Sequence, residues 1–137
     1  MNKGFKKLLN EFKKLNLPDG EYAIYGSGPL AIRGIREARD LDVIVTDSLY
    51  QELKEKYPKD SKKERIKIEK IEIYPCWAWE PQIKGLEGAI KRAELIEGLR
   101  FVQLNDLVNY KKKMGRPKDL NDIKLIREYL QNNRKNP

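Results

Sequence analysis

Apolar residues along this chain recur at helical spacing in some segments and at strand spacing in others, with turn residues between. Phe5, Leu8, Leu9, Phe12 and Leu15 fall at helical intervals, so residues 3–16 are predicted as an amphipathic helix. Pro18-Asp19-Gly20 marks a turn, and Glu21 to Tyr25 reads as a short strand. Gly26-Ser27-Gly28 breaks that strand. Pro29 suits the first turn of a helix carrying Leu30 to Glu37. Asp40 to Val45 reads as a buried strand. Thr46-Asp47-Ser48 offers capping oxygens to a helix bearing Leu49, Leu53 and Tyr57, which Pro58 ends.

The second half continues the alternation. Lys59 to Lys63 is a polar connection, and Arg65–Glu69 with Lys70–Tyr74 forms a strand or a bent hairpin. Leu86 to Ala93 is a short helix. Ala93–Ile96 and Leu99–Gln103 flank Glu97-Gly98 as a hairpin. Asn105 or Asp106 caps a helix with Leu107, Val108, Lys111 and Met114, and Gly115 stops it. Pro117 precedes a last helix from Lys118 to about Asn132, with Leu120, Ile123, Ile126 and Leu130 facing inward. The order implies an α+β fold, a mixed sheet flanked by helices. One domain over residues 1–137 is expected, with residues 105–132 forming a C-terminal helical pair packed on it.

Candidate chemistry gathers in YGSGPLAIRGIREARDLDVIV, from Tyr25 to Val45. Alternate residues of a strand share a face, so Asp40 and Asp42 are expected to point one way and Leu41, Val43 and Val45 the other. Two neighbouring carboxylates repel, and a divalent cation between them relieves the repulsion. Oxygen ligands of this kind suit magnesium. In the Gly26-Ser27 turn, glycine lets the backbone approach phosphates closely, while the serine hydroxyl donates to their oxygens.

On Gly26, Ser27, Asp40 and Asp42 the chain resembles the nucleotidyltransferase superfamily that includes DNA polymerase beta. Members show Gly-Gly or Gly-Ser, a gap of similar length, then Asp-apolar-Asp or Asp-apolar-Glu. The wider layout, ending in GRPKDLNDIKLI, resembles small stand-alone members related to the AbiEii-type nucleotidyltransferases. The resemblance implies a polymerase beta-like fold and transfer of a nucleoside monophosphate from a nucleoside triphosphate, such as ATP, to a hydroxyl. Magnesium, or manganese in its place, would be held by three carboxylates, the third on the next strand. Glu72 alternates with Ile71 and Ile73 and is favoured for that place, with Glu69 its competitor. The resemblance also points to Lys112 or Lys113, Arg116 and Lys118 as triphosphate contacts. Arg33, Arg36 and Arg39 surround the same site in sequence, and Arg36 is taken as a phosphate contact. Asp119 and Asp122 fit a helix N-terminus equally well.

Composition narrows the partners. The chain has no histidine and one cysteine, Cys76, which excludes imidazole-based catalysis and a disulfide framework. The net charge of +8 favours polyanions, including tRNA or another RNA as acceptor. A protein side chain or a small molecule are the other acceptors compatible with the pattern. The small size allows a second copy or a partner subunit to complete the acceptor site. No run is long and apolar enough to span a membrane, and a cytoplasmic location is expected. Trp77 and Trp79 are expected to face opposite ways, one of them able to stack on a base. The competing function is a non-catalytic nucleic-acid- or nucleotide-binding module, since KKKMGRPK superficially resembles a minor-groove AT-hook.

Overall fold

In the computed structural model, which describes residues 2–80 and 82–135, strands and helices alternate along the chain. Helix α1 (Lys3–Lys13) leads to β1 (Tyr22–Tyr25), the short α2 (Gly28–Ile32), β2 (Leu41–Val45) and α3 (Asp47–Lys56). Strands β3 (Ser61–Lys62), β4 (Arg65–Ile68) and β5 (Ile71–Pro75) follow, then α4 (Leu86–Lys91), β6 (Glu94–Ile96) and β7 (Leu99–Phe101). Helices α5 (Leu104–Met114) and α6 (Pro117–Lys135) close the chain. The described strands form one mixed sheet in the order β3-β4-β5-β2-β1-β7-β6. The arrangement is α+β, as the alternating periodicities imply.

Alternation within the central strands assigns the two faces. Tyr22 and Ile24 of β1, Leu41, Val43 and Val45 of β2, and Ile71 and Ile73 of β5 share one core with Phe5, Leu8, Leu9 and Phe12 of α1 and Leu49, Tyr50 and Leu53 of α3. Ala23 and Ile44 face the other way and pack with Leu86, Ala89 and Ile90 of α4, Leu104 and Leu107 of α5, and Ile126 of α6. The same alternation carries Tyr25, Asp42, Glu72 and Tyr74 to that second face. Among the described residues no helix is long and apolar enough to cross a membrane.

Several boundaries differ from expectation, each for a local reason. Helix α2 stops at Ile32 rather than Glu37, because the Arg33 N–H closes back on the Leu30 carbonyl and the chain then turns at Gly34. Five residues give it little macrodipole, so it adds only a weak positive end behind Ser27. Strand β2 begins at Leu41, where pairing with β5 starts, and leaves Asp40 in the preceding bend. Pairing also claims Ser61–Lys62 from the polar connection, after a short 3-10 turn over Pro58–Asp60. Residues 65–75 form a hairpin with Glu69 at φ 55° in its turn. Helix α5 is capped by Gln103 without a side-chain bond, not by Asn105 or Asp106. The Asp106 carboxylate instead takes the forked Arg92 guanidinium at 2.9 and 3.0 Å.

Leu120 is the clearest misreading of a helical face. It is 56% exposed, whereas Asp119, Asp122, Ile123 and Ile126 are buried. Each helical residue advances about 100°, so Leu120 lies on the outer side of the stripe that those four define. In urea unfolding, Ile44→Ala is expected to cost about 2–5 kcal/mol, since Ile44 is fully enclosed between sheet and helices. Leu120→Ala is expected to stay within about 0.5 kcal/mol of the parent chain.

Candidate active site

Three neighbouring strands place their polar residues in one row. Tyr25 of β1 stands opposite Asp42 of β2, which stands opposite Glu72 of β5. β2 and β5 run parallel, so matching positions on the two strands direct both carboxylates to the same face. The two carboxyl groups face each other closely enough to share a proton, which requires one of them to be protonated. Burial first, then the bond to Glu72 and its charge, then Asp40, push the Asp42 carboxyl up from its ordinary 3.8 to about 7. Lys118 opposes that shift. Glu72 also accepts from Arg65 Nη1 of β4 at 2.9 Å.

Gly26 completes this corner. Its φ is 69°, and a Cβ there would lie 2.8 Å from Asp42 Oδ2. Only glycine both adopts that backbone conformation cheaply and leaves room for the carboxylate. The turn therefore brings its backbone, and Ser27 after it, against the acidic pair.

A cavity of about 680 Å³ opens here, between the second face of the sheet and α5–α6. Its charged and polar lining includes Ser27, Asp40, Asp42, Glu72, Arg39 and Lys118. Aromatic rings line it beside the acids. Trp79, from a 3-10 turn over Cys76–Trp79, lies 5.8 Å from Tyr25 and 5.2 Å from Tyr74, centroid to centroid. Burial, ahead of the nearby carboxylates, drives the Tyr25 hydroxyl well above its usual range. The buried indole N–H of Trp79 stands near that hydroxyl without closing a good hydrogen bond. Leu86, Leu107 and Met114 add an apolar floor.

Helices α5 and α6 contribute a chain of paired charges. Lys111 Nζ, almost buried, is 2.8 Å from Asp122 and 3.8 Å from Asp119. Arg36 forks onto Asp122 at 2.7 and 2.8 Å, and its Nη2 also donates to Ser27 Oγ at 2.8 Å. Burial alone would raise the Asp122 carboxyl; the bonds from Arg36 and Lys111 outweigh it and hold that group below its usual value. Asp119 follows the same balance through Arg116. Its carboxylate takes both the backbone N–H and the guanidinium of Arg116, which caps α6.

The expected site residues are thus brought together unevenly. Gly26, Ser27, Asp42, Glu72, Arg116 and Lys118 all line the cavity. Asp40 lines it too, but from an exposed bend rather than from the same strand as Asp42. Glu69 sits in the hairpin turn, and Glu72 is the carboxylate beside Asp42. Arg36 is committed to Asp122 and Ser27 rather than open to a phosphate, and Arg33 bonds Glu94 of β6 and the Pro29 carbonyl. Lys112 lies in a separate shallow groove with Leu120 and Ile123, and Lys113 is exposed. The lysine of this run that lines the cavity is Lys111, one position earlier. Its signal was in the helical pattern, because Leu104, Leu107 and Lys111 share the buried face of α5. Asp122 was detectable in the same way, on the stripe with Asp119 and Ile126. Gly115-Arg116-Pro117 is a tight link between two helices with Arg116 tied down, unlike the extended strip an AT-hook needs. Trp77 turns to the opposite face, against Tyr50. Cys76 donates to the Val45 carbonyl, and burial pushes its thiol up to about 12, which makes it a packing residue.

Among the described residues no group of three carboxylates or thiols is already gathered around a point where an ion would sit. The expected trio is a touching pair, Asp42 and Glu72, with Asp40 standing off. A half-buried pair of oxygen-only donors that repel when both ionised still fits a hard divalent cation, provided substrate oxygens complete the shell. Comparison of the chain with family models, curated proteins and solved structures finds no match.

Two variants test this corner. Above pH 3.8 the unfolded chain releases the Asp42 proton, while the folded chain keeps it to about pH 7. Native stability therefore falls through that window, and the loss is complete above it. Asp42→Asn is expected to raise stability by about 2 kcal/mol at pH 8 and by little at pH 4, read by urea unfolding at both values. Gly26→Ala is expected to lower stability by about 1–2 kcal/mol at either pH, through the positive φ and the crowded carboxylate.

Proposed function

We propose that this chain is a magnesium-dependent nucleotidyltransferase, moving a nucleoside monophosphate from a nucleoside triphosphate to a hydroxyl with release of pyrophosphate. The observation that carries the reading is the Asp42–Glu72 pair, in contact on adjacent parallel strands and abutting the Gly26-Ser27 turn. Two acids have little reason to share a half-buried corner unless a cation or a proton is part of the work done there. The resemblance at Gly26, Ser27, Asp40 and Asp42 supports the same reading.

The cavity also matches the two ends of a nucleotide. Tyr25, Tyr74 and Trp79 offer ring surface for a base, with a non-polar floor below. Ser27, Arg39, Arg116 and Lys118 face the part of the cavity where a polyphosphate would lie. Asp42 and Glu72 would hold magnesium, with Asp40 closing from its bend; the ion would supply charge for the phosphate oxygens and acidify the acceptor hydroxyl. Lys111 and Arg116 would stabilise negative charge as it grows on the departing oxygens. Positioning and fixed charge account for the catalysis, with no covalent protein intermediate. The chain's net charge of +8 favours an RNA hydroxyl as acceptor.

The test is incubation with each of four α-labelled nucleoside triphosphates, magnesium and total RNA. Label on RNA is expected for the parent chain, and a loss of more than about a hundredfold for Asp42→Ala. Magnesium-dependent nucleotide binding without label on RNA, protein or small molecules would favour the non-catalytic binding module. Neither binding nor labelling would sink both.

A further inference from the structure

We infer that Asp122 is a positioning residue: acting through Arg36, it turns the Ser27 hydroxyl into a committed donor toward bound phosphate. The inference rests on the phosphate-site reading above and adds to it a residue on the last helix.

The geometry runs in one line from α6 to the turn. Asp122 is 3% exposed and holds Arg36 by a two-point fork at 2.7 and 2.8 Å. Lys111 binds the same carboxylate at 2.8 Å, so the acid is anchored from α5 as well. Arg36 then spends a third N–H on Ser27 Oγ at 2.8 Å and a fourth on the Glu37 carbonyl at 2.9 Å. A guanidinium has five N–H donors in a rigid plane, so Arg36 has one left and cannot wrap a phosphate. Its effect falls on Ser27. A hydroxyl that accepts from a charged N–H must aim its own hydrogen elsewhere, and that hydrogen becomes a stronger donor. Ser27 precedes α2, and its oxygen takes the Arg36 N–H instead of capping that helix. Ser27 lines the cavity beside Gly26 and Asp42.

Charge alone makes the opposite forecast. Asp122 is negative, and neutralising it would make the cavity wall more positive and draw anions in more tightly. Positioning requires binding to weaken.

The experiment is calorimetric titration of inorganic tripolyphosphate into the parent chain, Asp122→Asn, Ser27→Ala and the double variant, each checked for folding by thermal melting. Each single change is expected to weaken binding about tenfold, the scale of one charge-assisted hydrogen bond, and the double variant to be no weaker than about twofold beyond either. Tighter or unchanged binding by Asp122→Asn overturns the inference. So does a double variant in which the two losses multiply, to about a hundredfold. If Asp122→Asn does not fold, Arg36→Lys keeps the charge without the fork and is expected to weaken binding to the same extent. Parent-like binding by Arg36→Lys then overturns the inference. A parent chain that binds no tripolyphosphate overturns the phosphate-site reading itself, and this inference with it.

Discussion

Asp42 and Glu72 are held in contact by the parallel register of β2 and β5, and neither can turn away without leaving the sheet face. Two carboxylates so placed, with Asp42 largely removed from water, cannot both stay charged without help. The surroundings answer that constraint from several directions. Arg65 reaches Glu72 from β4, and Lys118 faces Asp42 from α6. Gly26 has no side chain at the one place where a Cβ would strike the Asp42 oxygen. The pair is thereby a local cost in stability above the ordinary carboxyl range.

A second set of charges ties the closing helices to that corner. Arg36, Lys111 and Arg116 meet Asp119 and Asp122, three cations against two anions, with Lys111 and both carboxylates buried and the two guanidiniums partly exposed. Buried pairs contribute little net stability against an apolar alternative, but breaking one leaves an uncompensated charge at high cost. Their value is therefore geometric. They tie α5 and α6 to the turn before α2 in the seating that encloses the cavity. Ser27 lies at the end of this chain, so the helix packing and the turn are adjusted together.

The elements were legible to the extent that local pattern creates them. The stripe Phe5, Leu8, Leu9 and Phe12 is the buried face of α1, and the alternation in Leu41 to Val45 is the two-faced strand at the centre of the sheet. Misreadings cluster where a neighbour decides. Asp40 reads as a strand residue until β5 is seen to begin its pairing at Leu41. Leu120 reads as core by hydrophobicity, yet the inner face of α6 is given to Asp119 and Asp122, whose partners lie on other segments. Hydrophobicity favoured Leu120, and ion pairing overruled it. Lys111 was passed over for Lys112 because three successive lysines look alike in sequence, although only one shares the face of Leu104 and Leu107.

By itself the sequence determined most of the helices and strands, which acids and which turn carry the candidate chemistry, and that any bound cation must be held by oxygen, because these follow from side-chain type and from periodicities built into a single stretch of backbone. Only the tertiary structure decided that Glu72 rather than Glu69 stands beside Asp42, that Arg36 is occupied, and that Lys111 is the member of the 111–113 lysine run that lines the cavity. Those facts depend on strand register and helix seating. The Arg36–Asp122 contact joins positions 86 residues apart, a separation across which local spacing carries no information.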